Sequence, residues 1–247
     1  MSELELDGRV AIVTGSSSGI GEAAAHHLAR AGATVVVNSS SSTEAGEAVA
    51  AALATEASYV QADISDQEQC RALVETTIER HGRLDILVNN AGWTSRVAHG
   101  DLDGLTDDIF TRTFDVNVYG TWWLTKAAMA HLKESPDGNV VNVTSVAGIR
   151  PIGSSVAYGM SKAALNAMTL ALAKACGPVR VNALAPGLVA TPWTSDWDDA
   201  HAGISAISPV GRSATPDDCA KAIMALVTNT YITGEILVVD GGTTLVI

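Results

Sequence analysis

Arg9-Val-Ala-Ile-Val-Thr14-Gly15-Ser-Ser-Ser-Gly19-Ile-Gly21 is the stretch that decides the fold. Arg9 to Thr14 is a short apolar run, too brief for a helix and ended by glycine, so it reads as a buried strand. Glu22 to Arg30 then reads as a helix closed by Gly32. Strand, glycine-rich turn and helix in succession are the context a phosphate-binding loop requires. Glycines let the backbone come close to a pyrophosphate, and the helix N-terminus offers unpaired N–H groups and a positive dipole end. The pattern points to a dinucleotide. Thr34 to Val37 supply a second strand and complete a βαβ unit.

Outward from this unit the alternation continues. A helix is expected over Thr43–Ala54 and a strand over Tyr59–Ala62, ending at Asp63. Ser65-Asp-Gln-Glu68 reads as a capping box for a helix running to His81. Asp85–Asn89 is a strand that breaks into Asn90-Ala91-Gly92. Thr106 caps a long helical segment through Asn117 to Lys133, with a bend between. Asn139–Thr144 is a strand ending at Ser145, Val156–Ala175 a helix, and Arg180–Leu184 a strand followed by Pro186-Gly187. Thr215-Pro216 starts a helix to Val227, and Glu235–Val239 is the last strand. Nearly continuous apolar strands alternating with helices mean a doubly wound parallel sheet covered on both faces, an α/β fold of three layers. The whole of 1–247 reads as one domain, with a substrate lid over about 188–210. In such sheets ligands sit beyond the carboxyl ends of the strands, where strand order reverses.

Composition narrows the function. With 47% apolar residues the chain can fill a core. No run approaches the ~20 apolar residues of a membrane span, and Glu3, Glu5 and Asp7 at the start do not suit a secretory signal, so a cytoplasmic protein is expected. Net charge is −12, with Lys and Arg scattered, which disfavours nucleic acid and anionic membrane as partners. Cys70, Cys176 and Cys219 lack metal-ligand spacing and read as reduced. His26, His27, His81, His99, His131 and His201 share no motif, and no metal is expected.

Tyr158-Gly-Met-Ser-Lys162 carries the chemistry. Residues four apart lie on one helix face, so a phenol stands beside an ammonium. Free tyrosine titrates near pKa about 10, and a nearby cation favours the phenolate. Reaching about 7 would take roughly 4 kcal/mol.

Thr14-Gly15-x-x-x-Gly19-Ile20-Gly21, Asp63, Asn89-Asn90-Ala91-Gly92, Asn117, Ser145, Tyr158-x-x-x-Lys162 and Pro186-Gly187 with Thr191 occur here in the order and spacing of one family. Over essentially its whole length the chain resembles the short-chain dehydrogenase/reductases, in the single-domain branch of 3-oxoacyl-carrier-protein reductase-like members, and this implies a Rossmann fold. The resemblance implies that Tyr158 is the general acid in carbonyl reduction and the general base in alcohol oxidation. Lys162 would lower its pKa and hold the nicotinamide ribose. Ser145 would orient the substrate oxygen, and Asn117 would hold a water linking Lys162 to solvent. Gly15, Ser17, Ser18, Gly19 and Ile20 would cradle the coenzyme phosphates, and Asp63 and Ile64 would lie at the adenine. Asn90 would lie along the adenosine ribose, and the backbone near Val189 and Thr191 would hold the carboxamide, with Ala91, Gly92, Pro186 and Gly187 also binding the coenzyme. A homodimer or homotetramer is implied as well, consistent with the apolar helices Phe114–Lys133 and Val156–Ala175.

Coenzyme choice turns on the end of the second strand, where an acidic residue suits NAD and a basic one NADP. Asn38-Ser39-Ser40 is neither; hydroxyls and an amide bond a phosphate without repelling it, which tilts the reading to NADP(H) over NAD(H). Trp93, Ala147, Ile152 and Trp193, with Ser145 and Tyr158, are the candidate substrate wall. The leading reading is an NAD(P)-dependent oxidoreductase acting on a small ketone or secondary alcohol. Reduction of a 3-oxoacyl group on an acidic acyl carrier protein competes, and needs a basic patch to which Lys126, Lys133, Lys174 and Arg180 contribute. A coenzyme-binding regulator without catalysis is the third reading.

Overall fold

The structure is a computed structural model describing residues 5–247, so Glu3 lies outside the described residues. Seven parallel strands form one sheet in the order β3-β2-β1-β4-β5-β6-β7. They are β1 Val10–Val13, β2 Thr34–Ser39, β3 Ala57–Gln61, β4 Ile86–Asn89, β5 Asn139–Val143, β6 Arg180–Pro186 and β7 Ile236–Val239. Order reverses between β1 and β4, which are paired through Ile12 and Leu87. That switch point is where a ligand crevice opens.

Period-2 alternation along the strands builds two cores. Val13, Val35, Val37 and Val88 face one layer, against Ala25 and Leu28 of α1 (Gly19–Arg30) and Ile223 and Leu226 of α8 (Pro216–Thr228). Ile12, Val36 and Leu87 face the other, against Leu73 of α3 (Gln67–His81) and Leu124 and Leu132 of α5 (Thr121–Glu134). Helices α2 (Thr43–Ala52), α4 (Asp107–Phe114), α6 (Val156–Ala175) and α7 (Asp198–Ile207) complete the set. The expected three-layer α/β/α architecture is present. Among the described residues no helix is long and apolar enough to cross a membrane.

Several local expectations shift. Helix α1 begins at Gly19, inside the glycine motif, and β2 continues through Asn38 and Ser39. The expected capping box gives way to a simple cap: Asp66, not Ser65, is the N-cap of α3, accepting from the N–H groups of Glu68 and Gln69 at 2.8 and 3.2 Å. Ser65 donates instead to Asp63, which has taken the turn. The expected bend is a π-helical segment, Asp115–Gly120, between α4 and α5. The lid segment holds a 3-10 turn at Pro192–Thr194 and then α7, which buries none of its residues.

Candidate active site

The glycine loop is shaped by close backbone approach. A Cβ on Gly15 (φ +59°) would stand 2.9 Å from Ala91 Cα, and one on Gly21 would stand 2.5 Å from the Gly15 carbonyl oxygen. The loop is also tied from both sides. Ser16 Oγ donates to Val13 O and accepts from Asn38 N, while Thr14 Oγ1 accepts from the N–H groups of Asn90 and Ala91. Ser18, the N-cap of α1, makes no side-chain cap bond. Glycines bare of Cβ and a helix start without a side-chain cap suit a pyrophosphate, which is the fit a dinucleotide demands.

A cavity of about 1100 Å³ runs from this loop past Tyr158. Ordinary single-ligand sites occupy ~300–1000 Å³, so there is room for coenzyme and substrate together. Around the loop it is lined by Gly15, Ser17, Ser18, Gly19, Ile20, Asn38, Ser39, Ser40, Asp63, Ile64, Asn90, Ala91 and Gly92. Farther along are Ser145, Ala147, Ile152, Tyr158, Lys162, Pro186, Gly187, Val189, Thr191, Trp93 and Trp193. Of the residues given a catalytic, coenzyme or substrate role from the sequence, all but Asn117 line it, while Thr14, Gly21 and Asn89 of the motifs do not.

Asn117 is fully buried in the π-helical segment. Its Oδ1 accepts from Trp93 N at 2.7 Å, and its Nδ2 donates to Trp93 O and Ser161 Oγ. The side chain therefore clamps the loop after β4 onto α6. With both Nδ2 hydrogens spent, a relay water is left the second lone pair of Oδ1 and that of the main-chain carbonyl, to which Thr121 Oγ1 already donates.

Other side chains are also engaged. Both donors of the Asn38 amide go to the carbonyls of Val60 and Ala62, and Ser39 Oγ pairs with Tyr59 Oη. The Asn38 amide then offers no free donor for a phosphate, while the Ser39–Tyr59 bond can run in either direction and Ser40 stays exposed. The Asn90 amide donates to Thr14 O and Gly15 O, so it holds the loop. Asp63 Oδ1 accepts from Ser65 N and Oγ.

Helix α6 starts at Ser155, whose hydroxyl accepts from Tyr158 N. One turn on, Lys162 is 3% exposed, and its Nζ donates to Val143 O at 2.8 Å. Nζ lies 5.6 Å from the centroid of the Tyr158 ring. Burial pushes the Tyr158 phenol up to about 12, while a hydrogen bond with Ser145 pulls the other way. Burial also pulls the Lys162 ammonium down to about 8. This corrects the expected sign: from the chain's own groups alone, the phenol rises. Desolvation disfavours the charged form of both partners, and Lys162 directs its N–H at a carbonyl rather than at the phenol. Tyr158 is only half-buried, so solvent in the cavity tempers that rise.

Trp193 meets Tyr158 edge-on, with centroids 6.4 Å apart. Two arginines on the same cavity escaped the sequence reading. Arg112 lies 5.1 Å from the centroid of Trp93, and Arg96 lies 4.8 Å from that of Trp197. Sequence spacing offers no sign of such pairs, since each joins different elements. The basic patch that a carrier-bound substrate would need loses one of its candidates. Arg180 is 6% exposed, bonded to Asp137 and the α8 carbonyls at the opposite end of the sheet.

A family model described as enoyl-(acyl carrier protein) reductase matches residues 15–244. The chain is 50% identical to the "Granaticin polyketide synthase putative ketoacyl reductase 2" of Streptomyces violaceoruber, over 94% of this chain and 95% of that one. It is 38% identical to glucose 1-dehydrogenase 2 of Bacillus subtilis, over 98% and 96%. Among solved structures, a Serratia marcescens short-chain dehydrogenase/reductase mutant superimposes with a TM-score of 0.91 at 31% identity, covering 97% and 99%. With the glycine loop, the strand-end residues and the Tyr158–Lys162 helix gathered on one cavity, the chain belongs to the short-chain dehydrogenase/reductase family, as an NAD(P)-dependent oxidoreductase.

Proposed function

We propose that the chain interconverts a secondary alcohol and a ketone, with Tyr158 as the general acid and base. The observation that carries this is the meeting of Tyr158, Ser145 and Lys162 on the cavity that begins at the glycine loop. When bound, the nicotinamide coenzyme supplies or takes the hydride, and its oxidised ring adds a positive charge to the cavity. Gly15, Gly19 and the start of α1 hold its phosphates. Ser145 hydrogen-bonds the substrate oxygen. In reduction Tyr158 Oη–H donates its proton to that oxygen; a phenol held high by burial is fully protonated at neutral pH and ready to do so. In oxidation it must first lose that proton, and Lys162 stabilises the phenolate. Asn117 acts as a positioning residue through Trp93 and Ser161.

NADP(H) is favoured over NAD(H): no carboxylate stands at the end of β2, and the exposed Ser18 and Ser40 offer hydroxyls. Homo-oligomers form through α5 and α6, which with the π-helical segment expose Tyr119, Trp122, Met160 and Leu170. The competing reading, reduction of a 3-oxoacyl group on a carrier, is favoured by the 50% identical ketoacyl reductase.

Tyr158→Phe tests the mechanism. Turnover followed at 340 nm falls by about 10²–10⁴, while titration of tryptophan fluorescence with NADPH and NADH still reports binding, tighter for NADPH. Activity surviving the substitution overturns the mechanism. Unchanged binding by a wild-type chain that turns over no ketone, sugar or acyl thioester would favour the regulator reading.

A further inference from the structure

The cavity has a charge of the wrong sign for this chain. Net charge is −12, yet its charged lining side chains are Arg96, Arg112 and Lys162 against Asp63 alone, with His99 beside them. Lys162 belongs to the tyrosine, and Asp63 lies just past β3, at the other end of the sheet order from the substrate side.

Five other arginines, Arg9, Arg71, Arg83, Arg180 and Arg212, sit within 4 Å of a carboxylate, whereas Arg30, Arg80 and Arg150, away from the cavity lining, do not among the described residues. Arg96 and Arg112 have no carboxylate partner and no side-chain hydrogen bond among the described residues; each lies over an indole instead. Such a cation–π contact satisfies none of the guanidinium N–H donors, and that fork is the group that takes a carboxylate or phosphate in two parallel bonds.

Both arginines are on the substrate side. Arg112 covers Trp93, whose N–H is held by Asn117. Arg96 lies between Thr94, whose hydroxyl meets Ser154 Oγ at 2.6 Å, and Val97, whose N–H donates to Ser154 O. Ser154 precedes Ser155, the N-cap of the Tyr158 helix. Trp197, under Arg96, shares its wall with Ala200 and Ile204 of α7, in the lid segment.

We infer that Arg96 and Arg112 bind an anionic group, a carboxylate or phosphate, on the substrate, with Trp93 and Trp197 as the apolar wall behind it. The two are specificity-determining residues. They select charged ketones over neutral ones of the same shape. This rests on the oxidoreductase reading proposed above, and deepens it on the substrate side.

The test uses two pairs: 4-oxocyclohexanecarboxylate against its methyl ester, which differ in one charge, and acetoacetyl-CoA against acetoacetyl-N-acetylcysteamine, which differ by the phosphates and nucleoside of coenzyme A. In the wild type, kcat/KM favours at least one anion over its neutral partner by about tenfold, and the pair that responds tells carboxylate from phosphate. In Arg96→Gln, Arg112→Gln and the double variant that ratio falls towards one. In 1 M NaCl it falls in the wild type as well. Three results overturn the inference: wild-type parity within both pairs, a ratio untouched by the substitutions, or an equal rise in coenzyme KM, which would put the guanidiniums on the coenzyme. If the wild type turns over the neutral ketones without preferring the anions, the inference fails and the oxidoreductase reading stands. If nothing is turned over, that reading has failed. Tryptophan fluorescence titrated with 4-oxocyclohexanecarboxylate and with coenzyme A then decides the anion site, since saturation by neither, or saturation unaltered in the double variant, overturns it.

Discussion

Lys162→Met separates what the buried ammonium does for the reaction from what it does to stability. The lysine is 3% exposed and titrates near 8 rather than 10.5, because burial disfavours its charged form. That descent corresponds to about 3 kcal/mol at neutral pH. Between pH 8 and 10.5 the unfolded chain binds more of this proton than the folded one, so stability rises with pH across that window. At pH 7 the penalty is present in full. Methionine removes it while keeping most of the volume, and leaves the Val143 carbonyl without its 2.8 Å partner, a loss of about 1–3 kcal/mol. The variant should thus match or exceed the wild type at pH 7 by up to about 2 kcal/mol, raising Tm by up to several degrees. Near pH ~10.5 the order reverses, because the wild type has shed its penalty and the variant still lacks the hydrogen bond. Thermal unfolding of both proteins at the two pH values, paired with 340 nm turnover, measures this. Turnover should drop by at least about tenfold at either pH. A Tm difference that is the same at both would refute the account of Lys162 as a buried cation under strain.

Alcohol oxidation should accelerate steadily from pH 7 to about 9.5, since the phenolate must form from a phenol that burial holds high, whereas ketone reduction stays flat across neutral pH; initial rates in both directions check this. Gly21→Ala should weaken coenzyme binding more than tenfold and cost roughly 1–3 kcal/mol, because the new methyl meets the Gly15 carbonyl at 2.5 Å and the Asn90 amide at 2.6 Å; fluorescence titration and a melt report the two effects. Asn142→Ala cuts a fully buried chain of hydrogen bonds running from Asn89 Nδ2 to Asn142 Oδ1 and from Asn142 Nδ2 to Thr169 Oγ1. It should lower stability by about 2–4 kcal/mol, seen as a reduced denaturation midpoint.

Neighbouring residues alone determined much of this protein. Apolar runs closed by glycine placed β1, the loop and α1, and the helix expected at Val156–Ala175 is α6 to the residue. Each is a local competition among propensity, capping and periodicity, which a single stretch of chain decides. Even the cavity's lining was legible, because strand ends of a doubly wound sheet must converge at the switch point. What escaped was the outcome of competition between distant groups. The Asn38 amide is spent on β3 carbonyls, Asn117 on Trp93, and the Lys162 ammonium on Val143, and none of those partners is adjacent in sequence. The phenol's direction followed from the same cause: spacing put a cation beside it, but burial by the folded sheet and helices outweighed that proximity. The guanidiniums on the cavity became visible only when α4 brought Arg112 over Trp93 and the segment before α7 brought Trp197 under Arg96. Spacing set a phenol one turn from an ammonium and a glycine loop at a helix start. Desolvation and hydrogen-bond competition, which exist only in the packed molecule, decided how each of them is poised.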